Sequence, residues 1–195
     1  MKLLFYCDTV FGYGGVERVL AELAKALSKS HEVTILTTDM RKDYTMYGYD
    51  RSQVKFRFIE YGNAPKLENL MCKGYSFLYK KVLPQNRFTS WLYGKSFFLP
   101  SYRDKLVKEI NDGGFEVVIG VHAYLSLHLT SIRNRIKART VGWMHNSYQA
   151  FFEKENPYLP GLKSFFRHRM RLLDRIIVLS QMDAARYRVD LNLDS

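Results

Sequence analysis

The chain has 195 residues, 47% of them hydrophobic and 25% charged, an ordinary globular composition that excludes a disordered chain. Two cysteines, Cys7 and Cys72, exclude a disulfide scaffold and a Cys-rich zinc module. Thirty Lys+Arg against nineteen Asp+Glu give +11, a field that attracts phosphates, whether on nucleic acid, anionic lipid or nucleotide.

Leu3–Tyr6 reads as a short buried strand between Lys2 and Asp8. It is too short for a signal-peptide core, and no apolar run approaches the ~18 residues of a membrane span. Phe11-Gly12-Tyr13-Gly14-Gly15 is a glycine-rich loop. Val16, Val19, Leu20, Leu23, Ala24 and Leu27 then recur at helical spacing, and Val33–Thr37 predicts a second strand. Residues 39–53 read as loop. Val54–Ile59 alternates with period two, as a half-exposed strand near a sheet edge does. From Leu70 to Tyr102 the pattern blurs. Leu106, Val107 and Ile110 predict a helix ending at Gly113-Gly114. Phe115–Val121 is a strand, Leu125–Ile132 a helix, Arg139–Trp143 a strand and Leu162–Leu173 a basic helix. Arg175–Leu179 is the last strand and Met182–Val189 the last helix. This alternation predicts an α/β, Rossmann-like, doubly wound and mostly parallel sheet with helices on both faces. One lobe is expected to fill residues 1–195.

Ligands on such sheets bind beyond the carboxyl ends of the strands. That places the candidate site at Gly12–Gly15, Gly14 and Gly15 among them, His122, His145 and Ser180, with Asn146, Ser147 and Tyr148 as further donors. Glycines opening a helix let a ligand meet bare backbone N–H groups at a partly positive helix end. The loop is no dinucleotide fingerprint, because Glu17 stands where the third glycine belongs, although Asp39 falls about where a ribose-binding acid would. No Gly-Lys-Ser/Thr follows for a P-loop, and no G-x-S-x-G occurs for a serine hydrolase. His31, His128 and His168 default to structural or solvated roles.

Residues 70–103 hold six cations, Lys73, Lys80, Lys81, Arg87, Lys95 and Arg103, and no acid. Nine aromatics lie among them, including Trp91. Cations with amphipathic rings suit a membrane interface. Lys73, Lys80, Lys81, Arg87, Trp91 and Lys95 are therefore the expected membrane-facing residues. A second basic run follows at Lys163, Arg167, His168, Arg169, Arg171 and Arg175. No RNA- or DNA-binding signature is present, so nucleic acid is not the expected partner.

Gly14-Gly15-Val16-Glu17-Arg18-Val19, followed by the helix and His31-Glu32-Val33-Thr34-Ile35-Leu36-Thr37, resembles the opening of the GT-B glycosyltransferases of family 4. Phe115-Glu116-Val117-Val118-Ile119-Gly120-Val121-His122 is similar to a later strand of that family. So are Val141-Gly142-Trp143-Met144-His145-Asn146 and Asp174-Arg175-Ile176-Ile177-Val178-Leu179-Ser180. The order and spacing of these motifs carry the resemblance. It implies the acceptor-binding, N-terminal lobe of a retaining enzyme that moves a sugar from a nucleotide diphosphate sugar to a glycan or lipid-linked acceptor of the cell envelope. The nucleotide-binding lobe would be absent from this chain, and the lobe alone inactive. It implies His145 as the catalytic residue, hydrogen-bonded near the reacting carbon. Gly14, Gly15, Arg18, His122, Asn146, Ser147 and Ser180 would bind donor or acceptor. No cofactor or metal is implied; the nucleotide sugar is a substrate. The expected location is the cytoplasm, peripheral on the inner face of the membrane. Glu60 and Glu68 have seven residues between them by chance, straddling Gly62 and Pro65 rather than joining a strand to a helix. The alternative reading is a non-catalytic Rossmann-like binding module with a basic surface for anionic lipid or nucleic acid.

Overall fold

Six short runs rich in Val, Ile, Leu and Phe build one sheet: β1 (Lys2–Cys7), β2 (Glu32–Thr37), β3 (Lys55–Phe58), β4 (Val117–Val121), β5 (Arg139–Trp143) and β6 (Arg175–Ile177). A computed structural model describes residues 1–192. The strand order is β3-β2-β1-β4-β5-β6, and every pairing is parallel. This is the doubly wound sheet the sequence predicts. The order reverses between β1 and β4, which opens a crevice at their carboxyl ends. β1, β2 and β4 are buried nearly throughout, whereas β3 is the half-exposed edge its alternation implied.

The helices are α1 (Gly15–Ser28), α2 (Lys66–Lys81), α3 (Arg87–Phe97), α4 (Pro100–Gly113), α5 (Ala123–Ile132), α6 (Tyr148–Phe152), α7 (Lys163–Met170) and α8 (Gln181–Leu191). α4 stops where Gly114 turns left-handed at φ 62°, as the glycine pair announced. α5 packs so close to β4 that a Cβ at Gly120 would lie 2.8 Å from Ser126 Cα. Only glycine fits there.

The blurred stretch is an α2–α3 hairpin running into α4. Tyr79 stacks on Tyr93 at 4.3 Å, and Tyr93 meets Phe165 of α7 at 4.8 Å. An Asn86–Thr89 capping box starts α3. Of the nine aromatics there, only Phe77, Phe88 and Trp91 are well exposed; Tyr79, Tyr93 and Phe98 are core. Most of these rings therefore hold the hairpin to the body, which corrects the picture of a surface of rings. Lys73, Lys80, Lys81, Arg87 and Lys95 do stay exposed, whereas Arg103 is half-buried.

Part of the second basic run is structural. Arg169 reaches under α3, donates to the Thr130 carbonyl at 2.6 Å, and packs against Gly94. Burial pushes its guanidinium down to about 10. Arg171 donates to the Leu191 carbonyl, and Lys163 faces Asp190 at 3.7 Å. His128 is also structural: its ring stacks on Phe98 at 3.9 Å, and Nδ1 lies 3.1 Å from the Tyr6 hydroxyl.

Candidate functional site

The glycine loop leaves β1 at Asp8 and enters α1 at Gly15, beside the crevice. Three side chains fix it. Asp39 Oδ2 accepts the buried N–H groups of Val10 and Phe11 at 3.0 and 2.9 Å. Arg41 forks onto the same carboxylate at 2.8 and 2.7 Å. The Arg41 fork and those N–H groups hold the Asp39 carboxyl far below its usual range. Asp39 thus braces the loop with its whole carboxylate, and is not the free ribose-binding acid its position suggested. The Tyr47 hydroxyl donates to the Gly12 carbonyl at 2.8 Å and accepts from Gly14 N–H at 3.4 Å.

Glu17 occupies the loop itself. Its carboxylate accepts the Thr9 hydroxyl at 2.7 Å, and a Cβ at Gly14 would lie 2.1 Å from Glu17 Oε2. A carboxylate therefore covers the place the sequence reserved for a phosphate. An anion bound there must displace it; a sugar hydroxyl could donate to it. Gly15 faces open space, and Arg18 is exposed without an ion pair among the described residues.

Across the crevice, β4 delivers His122 and β5 delivers His145. His122 holds φ 89° and ψ 151°, a backbone region normally left to glycine. Its N–H donates to Trp143 O at 2.9 Å, and its carbonyl accepts from Ser126 N–H at 3.0 Å. These bonds join the ends of β4, β5 and α5. Asn146 Nδ2 donates to His122 Nε2 at 3.4 Å. His145 tilts against Trp143 at 4.2 Å, and its Nε2 is buried without a partner among the described residues. Burial, and then the nearby His122, push His145 down to about 4. Burial lowers His122 too, against a smaller opposing pull from Asp8. Both rings are neutral at pH 7. An unpartnered neutral imidazole nitrogen suits a hydroxyl more than a phosphate.

The structure thus gathers His122, His145 and Asn146 beside the loop of Gly14 and Gly15. Ser147 and Ser180 do other work in this state. Ser147 Oγ accepts Ala150 N–H as the cap of α6, and Ser180 Oγ accepts Asp183 N–H as the cap of α8. Asp183 in turn accepts Tyr148 N–H at 2.9 Å, joining the two helix starts. The sequence reading missed Glu17, Arg41 and Tyr47 as loop partners. Glu17 had a signal: it is the third helical residue after a capping glycine, where a carboxylate folds back on the helix start. Among the described residues, no three His, Cys, Asp or Glu side chains converge as metal ligands.

The family model for Glycosyltransferase Family 4 matches residues 13–195. The chain belongs to glycosyltransferase family 4. The family that the sequence resembled is borne out. A solved lipopolysaccharide outer core galactosyltransferase, WaaB in its apo form, covers 100% of the chain at a TM-score of 0.58 and 13% identity. The glycosyltransferase VinC, solved in complex with dTDP, covers 94% at a TM-score of 0.47 and 12% identity. The chain spans 43% and 46% of those two proteins, less than half of each. At these identities the likeness is one of fold. A comparison with curated protein sequences finds no match.

Proposed function

We propose that this family 4 chain is the acceptor-binding lobe of a retaining glycosyltransferase, which moves a sugar from a nucleotide diphosphate sugar to a lipid-linked or cell-envelope glycan. The observation that carries the reading is the convergence of neutral His122 and His145, with Asn146, on the glycine loop at the switch point. His145 Nε2 orients a hydroxyl of the transferred sugar or the acceptor, and His122 and Asn146 hold a second one. The Gly14-Gly15 backbone lies against the donor after Glu17 swings aside, and exposed Arg18 meets its charge. A second lobe supplies the nucleotide site, so the 195-residue chain alone transfers nothing. The test measures nucleoside diphosphate release from a panel of nucleotide sugars with glycolipid acceptors. Release is expected from the lobe joined to a nucleotide-binding lobe and not from the lobe alone. Robust turnover by the lobe alone would sink the two-lobe reading.

In the joined enzyme, Gly15→Val is expected to lower activity at least about tenfold. The melting temperature of the lobe should fall by no more than about 2–4 °C, because the added side chain meets open space. A melting loss large enough to explain the activity loss would assign Gly15 to packing instead.

The same reading places the α2–α3 hairpin on the inner leaflet in the cytoplasm. No helix among the described residues is long and apolar enough to cross a membrane. Leu67, Leu70, Met71, Phe77, Leu78 and Val82 of α2 and the turn after it are well exposed. None of Lys73, Lys80, Lys81, Arg87 or Lys95 makes an ion pair among the described residues, and Lys95 sits 3.9 Å over the Trp91 ring. Each cation near an anionic leaflet contributes about 1 kcal/mol. The chain is expected to float with anionic but not neutral liposomes, and less at high salt. Lys73→Glu, Lys80→Glu and Lys81→Glu together should abolish flotation. Equal flotation with neutral vesicles, or none with either, overturns the membrane placement.

A further inference from the structure

A cavity of about 320 Å³ lies between α2 and the wall formed by α3 and the start of α5. Its apolar side is Phe97, Leu99, Leu162 and the ring of Tyr124. Its polar side is the face of α2 that carries Lys73, Ser76 and Lys80. Tyr124 stands two residues beyond His122, so the cavity adjoins the histidine side of the crevice.

The two lysines set the chemistry. They are seven residues apart, about 10 Å along the helix. Neither has an anionic partner among the described residues. The nearest acid on α2, Glu68, is engaged by the N–H and hydroxyl of Ser101 at 3.1 and 3.0 Å. Long flexible ammonium chains on one face can close on one anion from both sides. The lysines also sit on a seam. Leu70 and Phe77 each lie three residues before a lysine, so they neighbour Lys73 and Lys80 on the helix surface. Both are exposed, Leu70 at 70% and Phe77 at 62%. The lip of the cavity is therefore cationic, with an apolar wall inside and an apolar helix face outside.

We infer that this cavity binds the phosphate of an amphiphile, with Lys73 and Lys80 on the phosphate and the attached apolar chain along the Phe97–Tyr124 wall or out over Leu70 and Phe77. It deepens the proposed function and rests on it only for the source of the amphiphile, a lipid-linked substrate or a membrane phospholipid. The two lysines would then do more than face a membrane: they would select a headgroup beside the crevice.

Cys72 makes the test local. It lines the cavity and is half-buried, whereas Cys7 is 1% exposed, so a thiol reagent reports on Cys72. Burial raises the Cys72 thiol, with Glu68 adding to the effect, so labelling is run above neutral pH. The 195-residue chain is labelled with a maleimide in the presence of octyl phosphate below its micelle concentration, inorganic phosphate, or octyl glucoside. Binding is measured in parallel by calorimetry. Octyl phosphate is expected to slow Cys72 labelling at least about fivefold, and to bind at least about tenfold more tightly than inorganic phosphate. Octyl glucoside is expected to do neither. Lys73→Gln with Lys80→Gln should lose at least about tenfold in affinity. Lys81→Gln with Arg87→Gln, an outward pair that is exposed and does not line the cavity, should lose less than twofold. Equal protection by inorganic phosphate, or by octyl glucoside, overturns the proposal. So does equal loss from the outward pair, which would mean diffuse surface charge. No sugar donor and no vesicle is present, so failure here leaves the transferase reading standing, and failure of transfer leaves this result readable. To separate the sources, short-chain phosphatidic acid and a short-chain prenyl phosphate are titrated against the same protection. Whichever binds more tightly identifies the class, and protection by neither overturns the amphiphile.

Discussion

His122→Gly is expected to melt about 2–8 °C higher than His122→Ala. The usual order is the reverse, because glycine loses more backbone freedom on folding and costs about 0.5–1 kcal/mol against alanine. His122 inverts it through its φ of 89° and ψ of 151°. Such a conformation costs a side-chain-bearing residue about 1–3 kcal/mol, and glycine is relieved of it. Both variants lose the ring, so the lost contact with Phe151 and the lost Asn146 hydrogen bond cancel in the comparison. A net gain of about 1–2 kcal/mol corresponds to that melting difference in a domain of this size. The strain persists because its surroundings over-determine it: Trp143 O takes the N–H, and Ser126 gives two hydrogen bonds to the carbonyl. In the transferase reading both variants lower turnover at least about tenfold, as does His145→Ala. An alanine variant as stable as the glycine variant would show that His122 stores no strain.

The strands and the residues beyond each of them were legible because they depend on short-range patterns. Buried parallel strands read as continuous apolar runs, and Gly14, His122 and His145 follow from where those runs end. The α2–α3 hairpin was not legible for a physical reason. α2 buries Tyr79 on one side and exposes Leu70, Met71 and Phe77 on another, so no single apolar stripe marks it. The same stretch explains why nine aromatics read as one surface: composition counts rings but does not say which face they leave by. Long-range bracing was equally hidden. Asp39 lies 29 residues from Val10, and Tyr47 lies 35 from Gly12. Spacing along the chain carries no signal for either. Arg169 illustrates the same limit, since a run of cations does not reveal that one of them turns inward beneath Gly94.

Asp39→Ala is expected to destabilise the chain by about 2–5 kcal/mol and to lower its melting temperature by about 5–15 °C. Val10 and Phe11 are 0% and 2% exposed, so their N–H groups have no water to replace the lost carboxylate. A buried donor left unpaired costs about 1–3 kcal/mol. The ion pair with Arg41 adds little to that sum, because the Arg41 side chain is 54% exposed and its attraction is screened. The loss should also depend on pH, with a sign fixed by the direction of the carboxyl shift. Asp39 ionises far lower in the folded state than the ordinary value near 3.9 for an unfolded aspartate. Its stabilisation is therefore fully present above about pH 4 and is lost as pH falls below that toward the folded value. Melting curves of wild type and Asp39→Ala should be well separated at pH 7 and draw together as pH falls below about 4. Asp39→Asn keeps one acceptor for the two N–H groups and should lose less than alanine, without the pH dependence. A separation that stays constant from pH 7 to pH 3 would mean that the side chain acts by packing alone. Because the same carboxylate sets Val10 and Phe11, the residues leading into Gly12, the alanine variant should also free the glycine loop. Faster hydrogen exchange at Val10 and Phe11, beyond the change in global stability, is the measurement that checks it.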